Sequence, residues 1–244
     1  MPCRVIALTK PAADVALLTL QLPANDTLRY HAGQYIEFIL RDGARRSYSM
    51  ANAPHSQTDK PAIELHVRHM PGGKFTDHVF GAMKERDILR IEGPFGSFFL
   101  REASDKPIVL LASGTGFAPI KAMIEQIEFK GIIRPTMLYW GCRSRADLYL
   151  HEWAEQAASR MPNLRYVPVL SEARPEDGWT GRTGLVHQAV LQDWPDLSAH
   201  QVYACGVPAM VDAAQRDFVL LCALPAEEFY ADSFTSEADK HGLT

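Results

Sequence analysis

Short apolar runs alternate with turn residues along the first hundred positions of the chain. The runs are "VALLTLQL" (15–22), "QYIEFIL" (34–40), "AIELHVRH" (62–69) and "DILRIEG" (87–93). Alternation with a period of two is typical of half-buried strands, and several such strands between turns favour a small antiparallel barrel. The segment "GGKFTDHVFGAM" between the last two runs predicts a glycine turn and one short helix with Phe75, Val79 and Phe80 facing inward.

After the polar link "REASDK" (101–106) the pattern changes to apolar strands that alternate with helices. The predicted strands are "PIVLLAS" (107–113), "TMLYWG" (136–141), "LRYVPVL" (164–170), "QVYAC" (201–205) and "EFYAD" (228–232), with helices near 117–129, 147–158, 184–191 and 208–222. Such alternation predicts a parallel sheet covered on both faces, with ligands at the carboxyl ends of its strands. The predicted fold class is an N-terminal antiparallel β-barrel over residues 1–102, followed by a doubly wound parallel α/β domain over residues 103–244.

Composition narrows the classes of partner. The 244 residues carry a net charge of -4 and a pI near 6.1, which disfavours a general nucleic-acid binder and a polybasic membrane contact. No apolar run approaches the roughly 20 residues that span a bilayer, and the N-terminus lacks the apolar stretch of a signal peptide, so we expect a cytoplasmic protein. The four cysteines form no CxxC or Cys/His cluster, so no metal site is predicted and any redox chemistry needs an organic cofactor.

The stretch "LLASGTGFAPIKAM" contains a candidate nucleotide turn. An apolar strand runs into Gly114, Thr115 and Gly116, and a helix with Pro119 in its first turn follows. Glycines let the backbone approach a ligand closely, and a helix start offers unpaired N–H groups to a phosphate. The GxGxxG fingerprint is not met, so a tight strand-to-helix turn without a ligand remains the alternative.

A similar turn, "CGVPAMV" (205–211), follows a predicted central strand. Cys205 lies where ligands bind in such sheets. Free cysteines are, however, among the most buried residue types and are usually inert, so a purely structural Cys205 is the alternative.

Two further stretches in the barrel half suggest a nucleotide. If "RRSYSMAN" (45–52) is a strand, Arg46, Tyr48 and Met50 share one face, where a guanidinium and an aromatic ring could bind a phosphate and a flavin ring. "PGGKFT" (71–76) places two glycines and a threonine at a predicted helix start, which is a third phosphate-type turn. An exposed edge strand and a capped glycine turn are the alternatives. Taken together, the turns fit two nucleotides that meet between two domains.

Five motifs occur in a specific order: "RSYSMAN", "PGGKFT", "GTGFAP", "YACGVPAM" and "FYADSF". In this order the chain resembles the ferredoxin–NADP reductase superfamily, particularly its oxygenase-reductase branch with the CDP-6-deoxy-glucoseen and phenol hydroxylase reductases. The resemblance covers almost the whole chain. It implies an NAD(P)H-dependent flavin oxidoreductase with FAD in the barrel and NADH or NADPH as co-substrate, in which hydride passes from nicotinamide C4 to flavin N5.

The resemblance also implies roles for individual residues. Arg46 would hold flavin phosphate, Tyr48 would pack on the isoalloxazine ring, and Ser49 would hydrogen-bond near N5. Ser49 and Cys205 are the side chains expected to tune the hydride transfer, and no metal takes part. Cofactor contacts are implied for Arg46, Ser47, Tyr48, Ser49, His66, Val67, Arg68, Gly72, Gly73, Lys74, Phe75, Thr76, Gly114, Thr115, Gly116, Pro119, Arg143, Cys205, Gly206, Pro208 and Phe234.

The choice of coenzyme rests on "GCRSRADLYL", which follows the second α/β strand. An arginine there favours a 2′-phosphate and an acidic residue favours a ribose hydroxyl. Arg143, Ser144 and Arg145 could bind the phosphate, whereas Asp147 could simply start the next helix. The sequence leaves both coenzymes open, with a slight preference for NADH.

The electron acceptor and the reaction class also leave alternatives. The related oxygenase reductases carry a plant-type 2Fe–2S domain with C-x4-C-x2-C spacing, which this sequence does not contain, so we expect either a separate 2Fe–2S protein as acceptor or a chain that is a fragment of a longer protein. A flavin reductase that releases reduced flavin, and a non-catalytic electron-relay subunit, are the rival functions. A serine hydrolase is excluded because Ser113 has no GxSxG elbow.

Overall fold

The computed structural model describes residues 1–24, 28–56 and 61–234. The chain divides into two compact units. Unit 1 comprises Met1–Arg101 and Lys121–Ile132, and unit 2 comprises Glu102–Ile120 and the chain from Ile133 onward.

Unit 1 is built on a six-stranded antiparallel sheet. Its strands are β1 (Pro2–Ala12), β2 (Val15–Gln21), β3 (Tyr35–Ile39), β4 (Arg45–Ser49), β5 (Ala62–Arg68) and β6 (Ile88–Phe95), in the spatial order β4-β3-β6-β1-β2-β5. The two end strands of this order meet at an antiparallel bridge between Met50 and Leu65, and the Ala51 N–H donates to the Glu64 carbonyl at 2.7 Å. This contact closes the sheet into the barrel that the sequence predicts.

Alternation along the strands fills the interior of the barrel. On β5, Ile63, Leu65 and Val67 are fully buried in the barrel core. One helix, α1 (Lys74–Gly81), covers the core with Phe75 and Val79, while Phe80 packs against it half-buried, which confirms the predicted inward face.

Unit 2 is a six-stranded parallel sheet with helices between its strands, which confirms the predicted α/β class. Its strands are β7 (Ile108–Ser113), β8 (Thr136–Cys142), β9 (Leu164–Leu170), β10 (Arg182–Thr183), β11 (Gln201–Gly206) and β12 (Phe229–Ser233). Its helices are α2 (Phe117–Lys130), α3 (His151–Arg160), α4 (Val186–Asp193) and α5 (Pro208–Leu221). The part of α2 from Lys121 onward belongs to unit 1.

The strand order in unit 2 is β10-β9-β8-β7-β11-β12. The chain leaves β7 toward β8 and later returns to β11 on the other side of β7. Such a reversal is a topological switch point, and ligands of open α/β sheets bind at the carboxyl ends of the strands beside it. The turns after β7 and β11 therefore lie where a nucleotide is expected.

The helix predicted near 147–158 begins later than the sequence pattern indicates. Arg145–Asp147 form a single 3₁₀ turn capped by Ser144, and α3 starts only at His151. In the part of the chain that the structure describes, no helix has the length and apolar character needed to cross a membrane.

Candidate functional site

The strand β4 carries the first group of predicted site residues. Tyr48 lies opposite Ile36 on β3, and its ring contacts Phe38 at 5.7 Å and Phe75 at 5.3 Å between centroids. Burial raises the pKa of the Tyr48 phenol well above its usual value, so this side chain stays neutral. Arg46 lies two positions earlier on the strand, half-buried, and donates from Nη1 to the Arg45 carbonyl at 2.7 Å. A neutral aromatic and a guanidinium thus follow one face of β4.

The other residues of β4 have distinct surroundings. The Ser47 hydroxyl donates to Glu37 at 3.3 Å, and the same carboxylate pairs with Arg45 at 2.8 Å. Ser47 is therefore already engaged by a charged neighbour on β3. Ser49 is buried at the end of the strand, opposite Tyr35.

The turn before α1 has the features of an anion cradle. Gly72 has φ +83°, and Gly73 precedes the helix without a side-chain cap from any described residue, so the first N–H groups of α1 are left to backbone, water or a ligand. A Cβ at Gly73 would lie 2.7 Å from Thr76 Oγ1 and 2.8 Å from the Met70 carbonyl oxygen, so only glycine fits. The residues present fit the pyrophosphate of a dinucleotide flavin.

Thr76 holds this turn from inside. Its buried hydroxyl donates to the Met70 carbonyl at 2.9 Å and accepts the Met70 N–H at 3.2 Å. Thr76 therefore shapes the loop through its side chain, and its contribution to a ligand would come from its backbone N–H at the helix start.

A histidine–carboxylate contact and a lysine–carboxylate ion pair flank the same turn. Asp77 accepts the Gly72 N–H at 3.1 Å and contacts His69 Nε2 at 2.9 Å, whereas Lys74 pairs with Asp42. The Lys74 ammonium is thus partnered within the protein, so its predicted phosphate contact rests on its N–H group.

The outward side of β5 carries a buried charged network that the sequence analysis did not anticipate. Lys121 Nζ lies 2.6 Å from Glu125, 3.3 Å from Glu64 and 3.1 Å from the Ala51 carbonyl oxygen. Glu64 also accepts from His66 Nε2 at 2.8 Å, and the His66 side chain has no exposure. A contact of His66 with a cofactor would therefore have to come from its main chain.

In unit 2 the turn after β7 packs directly on the turn after β11. Gly114–Gly116 form one 3₁₀ turn that leads into α2. A Cβ at Gly116 would lie 2.2 Å from the Cys205 carbonyl oxygen, so glycine is required by the contact between neighbouring strands. From the other neighbour, β8, the Trp140 indole N–H donates to the Gly114 carbonyl at 3.0 Å. The glycine turn is held on both sides, and it leads into the start of α2, where backbone N–H groups can bind the phosphate of a nicotinamide nucleotide.

The turn after β11 places Cys205, Gly206 and Pro208 together. The Cys205 thiol is fully buried, and burial raises its pKa well above the usual value, so it is a neutral thiol rather than a thiolate. Gly206 has φ +145°, and its carbonyl accepts the Phe234 N–H at 2.9 Å. This bond brings the predicted C-terminal aromatic, 37% exposed, beside the turn. Pro208 occupies the first turn of α5.

A cavity of about 410 Å³ opens beyond the ends of β8 and β9. Its lining consists of Arg143, Ser144, Ala146, Asp147, Glu172, Arg174, Glu176 and Asp177. Asp147 accepts from both the backbone N–H and the hydroxyl of Ser144 at 3.0 Å, so it closes the loop instead of simply starting a helix. The lining holds two arginines against four carboxylates. The sequence could suggest Arg143 and Asp147 here, but not the acidic residues that follow β9.

Comparisons with known proteins identify both halves of the chain. Residues 2–100 match the family described as oxidoreductase FAD-binding domain, and residues 110–216 match the oxidoreductase NAD-binding domain. A CDP-6-deoxy-L-threo-D-glycero-4-hexulose-3-dehydrase reductase from Yersinia pseudotuberculosis is 46% identical over 233 residues, which cover 96% of this chain and 68% of that protein.

Other relatives belong to oxygenase systems. Terephthalate 1,2-dioxygenase reductase component 2 from Comamonas sp. is 37% identical over 98% of this chain and 69% of its own length. The crystal structure of the reductase GcoB from Amycolatopsis superposes with a TM-score of 0.87 and 32% identity, over 97% of this chain and 70% of GcoB.

The fold class, the FAD and NAD(P)H cofactors and the oxidoreductase activity predicted from the five motifs are confirmed by these likenesses. The chain belongs to the ferredoxin reductase family and is an NAD(P)H-dependent flavin oxidoreductase related to the reductase components of oxygenase systems.

Proposed function

We propose that residues 1–102 hold FAD as a resident cofactor, that residues 103–244 bind NADH, and that electrons then leave for a separate iron–sulfur protein of the 2Fe–2S class. The observation that carries this proposal is the glycine turn at the start of α1. A flavin that merely visits the protein needs no site for its adenine-side pyrophosphate, whereas Gly72 and Gly73 precede a helix start without a side-chain cap among the described residues.

The protein's own groups bind and orient rather than exchange protons. Bound FAD supplies the capacity to accept a hydride from reduced nicotinamide and to release electrons singly. In the proposed site Tyr48 offers a neutral aromatic surface, Arg46 offers a charge to the flavin phosphate, and Ser49 offers a hydroxyl at the buried end of β4. Cys205 contributes by packing, since its neutral buried thiol is poorly suited to act as a base or nucleophile.

NADH is the proposed coenzyme because of the charge in the cavity beyond β8 and β9. A 2′-phosphate would have to enter a space lined by four carboxylates and two arginines, and one of the arginines, Arg174, lies 3.9 Å from Glu176. A ribose diol carries no charge and can donate hydrogen bonds to carboxylates. The acidic excess therefore favours the coenzyme without the phosphate.

The acceptor and the compartment are proposed on the same basis. Relatives such as the Comamonas protein are named as reductase components of dioxygenases, which supports a protein acceptor rather than free flavin. The cytoplasm is the proposed compartment because it supplies NADH and keeps thiols reduced, in keeping with the free buried cysteines Cys3, Cys142, Cys205 and Cys222.

Retention of flavin by a matched pair of glycine variants tests the proposal. Gly73→Ala forces a Cβ against Thr76 Oγ1 and the Met70 carbonyl, whereas a Cβ at Gly81, at the other end of α1, meets nothing within 4 Å. We expect the parent and Gly81→Ala to keep FAD through gel filtration and Gly73→Ala to lose it. A colourless parent that reduces added flavin would establish the flavin reductase alternative. A parent that keeps FAD but fails to reduce any 2Fe–2S protein would overturn the proposed acceptor.

A further inference from the structure

Ser113 joins the ends of the two central strands of unit 2. It is the last residue of β7, and its Oγ accepts the backbone N–H of Val207 at 3.0 Å, across 94 positions of sequence. The strands β7 and β11 are adjacent and parallel, with Ala112 opposite Cys205. One hydroxyl therefore connects the glycine turn after β7 with the turn after β11.

The two turns fit together with little space between them. A Cβ at Gly206 would lie 2.0 Å from Ser113 Oγ and 2.9 Å from the Ser113 carbonyl oxygen. On the opposite side of the contact, a Cβ at Gly116 would reach the Cys205 carbonyl. The hydrogen bond of Ser113 is thus part of a close contact between the backbones of the two turns.

The position of this bond matches the switch point of the sheet. Dinucleotides bind at the carboxyl ends of the strands on either side of such a reversal, through backbone N–H groups. Val207 is 54% exposed and immediately precedes α5, so its N–H could turn to water if Ser113 lost its oxygen. Removal of the hydroxyl should then loosen the turn without unfolding the sheet.

We propose that Ser113 is a positioning residue for the nicotinamide coenzyme, which acts by fixing Val207 and the turn at Gly206 relative to Gly114–Gly116. The inference rests on the proposed binding of the coenzyme by these turns. Ser113 has no role as a nucleophile in this account, and its chemistry is that of a hydrogen-bond acceptor for the backbone.

The test compares two serine-to-alanine variants, one at the carboxyl end of β7 and one in the segment that precedes β7. Ser113→Ala removes the bond at the carboxyl end of β7. Ser104→Ala removes a similar bond, in which Ser104 Oγ accepts the Lys106 N–H at 3.2 Å, just before the amino end of β7. Binding of NAD⁺, which leaves the oxidised flavin unchanged, is measured on the flavin-loaded proteins by tryptophan fluorescence, together with KM for NADH, kcat, flavin content and melting temperature.

We expect Ser113→Ala to raise the Kd for NAD⁺ and the KM for NADH roughly three- to ten-fold, as for the loss of one hydrogen bond, with flavin content, melting temperature and kcat near the parent's. Ser104→Ala should match the parent in both constants. Equal affinities in Ser113→Ala and the parent would overturn the inference, and so would a fall in melting temperature or kcat without a change in Kd. A parent that binds no nicotinamide coenzyme would instead refute the proposed function.

Discussion

Replacement of Lys121 by methionine removes the only charge-balancing group that the described contacts place between Glu64 and Glu125. The Lys121 side chain is 7% exposed, and its ammonium lies 2.6 Å from Glu125 and 3.3 Å from Glu64. Methionine has a similar length but no charge. In Lys121→Met the two carboxylates therefore remain largely buried without this cation, and the Ala51 carbonyl loses its donor.

The loss of stability follows from the burial of these groups. Removal of one partner from a buried ion pair typically lowers the free energy of unfolding by about 3–5 kcal/mol. The Glu64 and Glu125 side chains keep 27% and 21% exposure, so water shields part of the charge and the lower end of that range applies. We expect Lys121→Met to lose about 3 kcal/mol at pH 7.

The pH dependence gives a second signature. Burial by itself would raise the pKa of Glu64. The hydrogen bond with His66 and the charge of Lys121 outweigh that effect, so the pKa of Glu64 falls from 4.5 to about 2. Because the folded-state pKa lies below the unfolded value, Glu64 stabilises the parent above pH 4.5, and this stabilisation is lost as the pH falls toward 2. The difference between parent and variant should therefore be largest at neutral pH and shrink below pH 4.5.

Urea unfolding can separate the two units. All four tryptophans, at positions 140, 153, 179 and 194, lie in unit 2, so their fluorescence reports that unit. Release of fluorescent flavin reports unit 1, and far-UV circular dichroism reports both units. Lys121→Met combined with Glu64→Gln should recover part of the loss. A loss below about 1 kcal/mol, or the same loss at pH 3 and pH 7, would show that the network is not an energetically coupled buried cluster.

Three further predictions concern the candidate sites. Glu172→Gln combined with Glu176→Gln removes two of the four carboxylates of the cavity, so the KM for NADPH should fall several-fold in low salt while the KM for NADH changes little. An unchanged ratio of the two KM values would contradict the role of the acidic lining. Thr76→Val removes the hydroxyl that binds Met70, so the affinity for FAD should fall about ten-fold, whereas Thr76→Ser should bind FAD as the parent does. Titration of the apoproteins with flavin measures these affinities, and equal affinity in Thr76→Val and the parent would contradict the prediction. Cys205 should react with iodoacetamide at pH 8 only after unfolding, because its thiol is buried and its pKa is raised. Rapid labelling of Cys205 in the native protein, detected by peptide mass spectrometry, would contradict the buried position of this thiol.

Local periodicity predicted most strands to within two residues, but it missed β1 and the two-residue strand β10. In β1 only Cys3 and Val5 are buried, and the second half of the strand is largely exposed, so no regular alternation marks Pro2–Ala12 as a strand. Pairing with β2 and β6 on either side defines it, and such long-range pairing is not visible in a sequence window.

Contiguous motifs of the candidate site were visible in the sequence, whereas contacts that join distant segments were not. "GTG" and "PGGKFT" were proposed as phosphate turns from their glycines and their place at helix starts, and that role stays a prediction. The physical reason for Gly116, a contact with the Cys205 carbonyl, needs the register of two parallel strands. The Lys121–Glu64 pair and the Ser113–Val207 bond likewise join segments far apart in sequence, so no local pattern marks them.

The central claim, that FAD resident in this chain takes reducing equivalents from NADH, is tested most directly by one anaerobic titration. The visible spectrum of the purified protein is recorded before and after addition of NADH, and separately of NADPH, in amounts equal to the bound flavin. We expect the absorbance of bound FAD to be lost with one equivalent of NADH, and more slowly or less completely with NADPH. A protein that carries FAD whose spectrum NADH leaves unchanged, or one that carries no FAD at all, would contradict it.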